Sequence, residues 1–253
     1  IVTSRPSDAQ GGHIVQPRSI SPTDISQFVR LDQCERYLRL RLRERAEGSD
    51  FLHQYDVARQ EVSPILTRSG AALEEQVEID ARQDFPTYRF TADRRRIVNA
   101  TNDNDHLIEL IEQVPIGETH ILFQPRLEAV IAGWRLRGDL DLLRVERDAD
   151  GSLRLLIADI KSSTASKVEH RLQVAFYHEM LATLLAGSGI THDAIDLAIL
   201  YRGPARESLL TPAEDRETQD AQRADAEATF GTSAGLLDRI TDVDAYLGSV
   251  HDL

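Results

Sequence analysis

LRLLIADIK, residues 153–161, decides how this 253-residue chain is read. The segment is apolar enough for a strand buried on both faces, yet its second half carries a carboxylate and an ammonium. Successive side chains of a strand point to opposite faces, so Asp159 and Lys161 share a face with Leu155 and Ile157. An acid and an amine thus emerge side by side at a strand end, as an ion pair or as the start of a site. Lys161 is one of only two lysines among 29 cationic residues, the other being Lys167. A chain that writes nearly every cation as Arg and keeps Lys161 points to a task for a compact ammonium.

Two further strand candidates precede this one: HILFQPRLEAVIA (120–132) and WRLRGDLDLLRV (134–145), the latter joined to LRLLIADIK by the turn-rich ERDADGS. The pattern predicts an antiparallel meander of three strands. Within the second, GDLD places Asp139 and Asp141 on one face of the strand beside Asp159. Opposing side chains of antiparallel neighbours lie about 5 Å apart, a distance at which two carboxylates can share one divalent cation. Asp139 and Asp141 share that face, and both stay open at this point as the partner of Asp159. Hard cations such as Mg²⁺ and Mn²⁺ take oxygen ligands and lower the pKa of water, which suits attack on a phosphodiester next to Lys161.

Outward from the meander, a long helix is expected from about Ser166 to Ala186, with Gln173 and Tyr177 four apart and facing one way. The apolar run 194–201 then reads as a buried strand reached by a helical crossover. Upstream, Ser21, Pro22 and Asp24 punctuate a helix start, and Phe28, Leu31, Leu38 and Leu42 recur at helical spacing. Cys34 falls on that stripe and is expected to be a buried thiol. A helix over 69–84 buries Leu73, Val77 and Ala81 with Glu74 beside them, and HLIELIEQV (106–114) makes a third. The order is α, β, β, β, α, β.

Composition excludes several chemistries. No Gly-Lys pair exists for a phosphate-cradling loop, and there is no G-x-G-x-x-G, H-E-x-x-H or G-x-S-x-G. One cysteine cannot build a Cys-rich zinc or iron–sulfur site. Carboxylates, one lysine and oxygen-ligand metal chemistry remain. The net charge of −13 argues against an all-over polyanion-binding surface and leaves local basic patches open. Arg36, Arg39 and Arg43 share one side of a helix near Tyr37 and are expected to track a phosphate backbone, with Arg94, Arg95 and Arg96 as a second candidate. The lone cysteine, the absence of an apolar leader and the absence of a long apolar run lead to the expectation of a cytoplasmic protein with no membrane partner.

Taken in order, S-P-T-D-I-S-Q-F (21–28) with C-E-R-Y-L (34–38), G-A-A-L-E (70–74), G-D-L-D (138–141), A-D-I-K (158–161) and Q-V-A-F-Y (173–177) resemble the RecB-like nuclease family of the PD-(D/E)XK superfamily, including its CRISPR-associated RecB-type exonucleases. The likeness runs over roughly residues 20 to 200. It implies an α/β restriction-endonuclease-like core, a mixed sheet flanked by helices, and a Mg²⁺- or Mn²⁺-dependent deoxyribonuclease acting as an exonuclease in repair, recombination or defence. It also implies that Glu74, Asp141, Asp159 and the Ile160 carbonyl hold the metal, that Lys161 supports the attacking water, and that Gln173 and Tyr177 meet the nucleic acid. The implied partners are DNA, single-stranded DNA included, and a helicase or other repair or defence protein. Glu74 stands where many relatives have His, and Cys34 matches only the first of four cysteines of an iron–sulfur staple, so no cluster is expected. The alternative is a module of the same fold that binds nucleic acid or a partner without cleaving; intact Asp141, Asp159 and Lys161 count against it. The expected organisation is a flexible arm (1–20), the nuclease core with its helical N-terminal part (21–203), and an acidic helical extension (204–253) forming a solvated outer layer.

Overall fold

Leu153–Lys161 lies inside a mixed six-stranded sheet, where burial on both faces explains its near-continuous apolar sequence. The computed structural model describes residues 18–57, 64–90, 100–204 and 213–251. Its elements run β1 (Arg18–Ile20), α1 (Pro22–Arg30), α2 (Glu35–Glu47), α3 (Phe51–Gln54), α4 (Pro64–Asp84), β2 (Thr87–Arg89), α5 (Ala100–Glu112), β3 (Thr119–Phe123), β4 (Arg126–Ile131), β5 (Trp134–Asp139), β6 (Leu142–Arg147), β7 (Leu153–Lys161), α6 (Val168–Gly187), β8 (Ala194–Tyr201), α7 (Ala213–Phe230), β9 (Leu236–Arg239) and α8 (Val243–His251). The large sheet has the order β2-β3-β6-β7-β8-β9, and a second sheet has the order β1-β5-β4. β7 pairs antiparallel with β6 and parallel with β8, the latter through the α6 crossover.

Alternation along β7 divides the interior. Leu153, Leu155 and Ile157 pack toward α6 with Val174, Tyr177 and Leu181. Leu156, Ala158 and Ile160 pack the other way, with Leu73, Val77 and Ala81 of α4 and Ala226 and Phe230 of α7. Asp159 and Lys161 continue the first set and so open on the α6 side.

The expected three-strand meander is instead five strands in two sheets. Pro125 lacks an N–H and restricts the residue before it, and Gln124 takes a left-handed φ of 53°. Gln124 N–H donates to the Asp141 carbonyl at 3.1 Å and Leu140 N–H to the Pro125 carbonyl at 2.9 Å. Both long strands therefore bend at one level and pass from the large sheet into the small one. Asp141 sits at this bend.

Three other expectations need correction. The flexible arm does not extend to residue 20, because Arg18–Ile20 pairs parallel with β5 and Ile20 is buried; residues 1–17 lie outside the described residues. The apolar stripe from Phe28 to Leu42 is split between α1 and α2 at Asp32 and Gln33, whose φ values are 54° and 57°, and half-buried Cys34 occupies the α2 N-cap. The tail after 204 is more than an outer layer, since Ala226 and Phe230 form an i, i+4 pair facing α4 and β9 extends the large sheet against β8. Asp215, Glu217, Asp220 and Glu227 of α7 are exposed, while Asp225 binds Arg239 of β9 at 2.7 Å. No helix among the described residues is long and apolar enough to cross a membrane.

Candidate active site

The end of β7, the bend at Asp141 and the first turns of α6 enclose a cleft of about 510 Å³. Ser21, Thr23, Gln124, Arg126, Arg137, Gly138, Asp139, Asp141, Asp159, Lys161, Gln173 and Tyr177 line it. Each catalytic side chain expected from the sequence is there: Asp141, Asp159, Lys161, Gln173 and Tyr177.

Asp159 is 2% exposed, and its Oδ2 lies 2.6 Å from Lys161 Nζ, as the shared face of β7 requires. Gln173 Nε2 donates to Asp159 Oδ1 at 3.5 Å. The β6–β7 ladder ends at the pair Leu142–Ala158, and beyond it Ile160 N–H donates to Asp141 Oδ2 at 2.8 Å. N–H and C=O of one strand residue project to the same edge, so the Ile160 carbonyl also faces the Asp141 side. Asp141 is thereby fixed beside Asp159 by backbone geometry.

Asp139 has a different task. It lies directly across from Arg126 in the β4–β5 ladder and accepts from that guanidinium at 2.5 and 3.0 Å. Its carbonyl accepts from Tyr177 Oη at 2.6 Å. A side chain at Gly138 would block this contact, because a Cβ there would stand 2.7 Å from Tyr177 Cε1 and 3.1 Å from Pro22 Cδ. Gly138→Ala is expected to lower unfolding free energy by about 1–3 kcal/mol, read by urea denaturation, with loss of activity as Tyr177 is displaced.

Glu74 is positioned by α4, on the opposite face of the sheet, where Gln124 Nε2 donates to its Oε2 at 3.2 Å. Glu74 also lines a second depression with Glu75, Glu78 and Arg82. Among the described residues no group of three His, Cys, Asp or Glu side chains stands in metal-holding geometry; Glu74 acts on the cleft through its charge on Lys161.

Burial pushes the Asp159 carboxyl up; Lys161 works against that shift and Asp141 adds to it, leaving the carboxyl well above the usual carboxylate range. Burial likewise opposes the Lys161 charge, but Asp159, Asp141 and Glu74 outweigh it and its pKa lies above the ordinary lysine value. Burial, reinforced by Asp159 and Asp141, holds the Tyr177 phenol protonated. Two crowded carboxylates with a backbone carbonyl alongside form a hard-oxygen donor set short of positive charge, of the kind that suits a hard divalent cation.

The arginines expected to track nucleic acid lie apart from this cleft. Arg39 binds Glu35 at 2.7 Å, Arg43 binds Glu47 at 2.8 Å and covers the Phe51 ring, and Arg36 donates to the Tyr55 carbonyl. Arg94–Arg96 lie outside the described residues. The sequence reading passed over Arg126, Arg137 and Gln124. The alternation of WRLRGD puts Arg137 beside Asp139 on one face, and Gln-Pro marked the bend, so the signals were present.

A family model described as the PD-(D/E)XK nuclease superfamily matches residues 26–246. A solved structure titled "Crystal structure of SSO0001" is 14% identical with a TM-score of 0.35, over 95% of this chain and 77% of that one. No curated protein matches the chain.

Proposed function

The chain belongs to the PD-(D/E)XK nuclease superfamily, and from that membership we propose that it is a RecB-like deoxyribonuclease, an exonuclease that hydrolyses DNA with Mg²⁺ or Mn²⁺ in repair, recombination or defence. The observation that carries this reading is the meeting of Asp141, Asp159 and Lys161 in one open cleft beside the Ile160 backbone. Asp141, Asp159 and the Ile160 carbonyl would hold the cation. When bound, such a cation draws charge from a phosphate and lowers the pKa of water.

The chain's own groups do the rest. Lys161 stays protonated and, steered by Asp159, presents a compact positive charge where negative charge grows on the phosphate oxygens. Gln173 fixes the orientation of the Asp159 carboxylate. Tyr177, kept as a donor by burial, pins the Asp139 carbonyl and with it the bend from which Asp141 projects. Gln124 ties Glu74 to the rim, where its negative charge favours the Lys161 ammonium. The partners proposed with this reading are DNA, single-stranded DNA included, and a helicase or other repair or defence protein.

The test is incubation with end-labelled single-stranded DNA, duplex DNA and RNA, and with circular DNA, in Mg²⁺, Mn²⁺ or EDTA. DNA should shorten stepwise from an end with either metal, and EDTA or Asp141→Asn should stop it. Intact DNA in both metals removes the nuclease reading; cuts within circular DNA remove the exonuclease part.

A further inference from the structure

We infer that Arg137 grips a backbone phosphate of the substrate, a role that rests on the reading of the substrate as a nucleic acid. The cleft lining holds three acids, Asp139, Asp141 and Asp159, and three cations, Arg126, Arg137 and Lys161. Two pairs cancel: Arg126 with Asp139 and Lys161 with Asp159. Asp141 spends one oxygen on the Ile160 amide. Arg137 is left, and it makes no hydrogen bond or ion pair among the described residues, although it is half-buried.

Two carboxylates near Arg137 do not take it. Glu128 stands directly opposite on β4, yet its carboxylate is 3.4 Å from Arg135 instead. Asp103 on α5 feels the charges of Arg126 and Arg137 without forming an ion pair with either. An arginine carries five N–H donors and no acceptor, so a guanidinium lining a cleft without an acid or carbonyl to hold has donors to offer a ligand. Arg137 lines the cleft. A guanidinium is permanently charged, weakly hydrated and forked to match two phosphate oxygens, which makes it suited to a phosphodiester and poorly suited to an uncharged substrate.

Charge balance adds a second reason. The whole chain carries −13, so its net charge opposes the approach of a polyanion. The formal charges of the cleft lining sum to zero, and within it Arg137 is the cation that no acid among the described residues pairs with. The α2 arginines contrast with it, since Arg39 and Arg43 already bind Glu35 and Glu47 on their own helix.

Arg137→Gln, Arg137→Lys and the charge-matched control Arg154→Gln, exposed at the far end of β7, test this with two readouts. The first is affinity for a labelled single strand and its duplex in EDTA, measured across a salt series. The second is the single-turnover cleavage rate in Mg²⁺ or Mn²⁺ at saturating enzyme. For Arg137→Gln, affinity should fall about tenfold, and the slope of log K against log salt should become shallower by about 0.7 on the single strand and about 0.9 on the duplex. Arg137→Lys should keep the slope and recover part of the affinity, and Arg154→Gln should keep both. An unchanged slope for Arg137→Gln overturns the inference, as does an equal change for Arg154→Gln. Wild type that binds with the expected slope difference but cleaves nothing in either metal refutes the nuclease reading and leaves Arg137 as a phosphate contact. Wild type that does not bind in EDTA overturns the inference, and if it also cleaves nothing in either metal the nuclease reading falls with it.

Discussion

Lys161→Arg lowers the single-turnover rate of DNA cleavage by about 10²-fold or more, with DNA affinity little changed. The charge is the same in both side chains, so the loss is one of geometry. Lys161 ends β7, held in register opposite Tyr201 of β8, and its Nζ sits 2.6 Å from Asp159 Oδ2 with the side chain 25% exposed. From that fixed origin a compact ammonium meets Asp159 with one proton and turns others toward the cleft. A guanidinium is wider and planar, and it engages a carboxylate through two parallel N–H groups. It would settle on Asp159 as a fork and withdraw from the phosphate. Because Asp159, Asp141 and Glu74 hold the lysine charged, the first loss is electrostatic stabilisation. A rate for Lys161→Arg within a few-fold of wild type makes Lys161 a structural ion-pair partner, and the mechanism fails. Lys161→Met, which removes the charge, should be slower still.

How far the site could be read in advance depended on whether local periodicity survived folding. β7, α6 and β8 follow their patterns with small shifts at the ends, so Asp159 beside Lys161 and Gln173 beside Tyr177 were legible from spacing alone. Asp139 and Asp141 were not separable, because a period of two puts both on one face. The bend at Leu140 breaks that period and sends Asp139 to Arg126 and Asp141 to Ile160. The bend depends on contacts between Gln124–Pro125 and Leu140–Asp141, which no window of sequence contains. Glu74 shows the reverse difficulty: its helix, expected over 69–84, runs from Pro64 to Asp84, and only the sheet decides which face α4 covers. β9 is four residues long and draws its stability from pairing with β8, so its own sequence carries little signal. The α2 arginines were open to the opposite reading from the start, since Glu35–Arg39 and Arg43–Glu47 are i, i+4 pairs.

Asp159→Asn should abolish cleavage and, in EDTA, melt at or above the wild-type temperature. Most substitutions of a buried hydrogen-bonded group destabilise, so the sign here is diagnostic. In metal-free protein the Asp159 charge is shut away from water and crowded by Asp141, and Lys161 does not fully offset this. Asn keeps the size of the side chain and can still meet Gln173, while Lys161 retains the attraction of Asp141 and Glu74. The pH dependence follows from the raised carboxyl. A group bound more tightly by its proton in the folded state contributes stability below its unfolded pKa and loses it as pH rises toward the folded one. Wild type should therefore fall behind the Asn variant as pH climbs from the ordinary carboxylate range to mildly alkaline values, and the two should converge in acid. Divalent cation reverses the order. An ion that binds only the folded state raises its melting temperature, so Mg²⁺ or Mn²⁺ should lift wild type and leave Asp159→Asn nearly unmoved. This readout does not depend on turnover. Equal metal-induced shifts in the two proteins, or an Asn variant that melts lower in EDTA at every pH, would show that Asp159 is a structural partner of Lys161 and that the cation is held elsewhere.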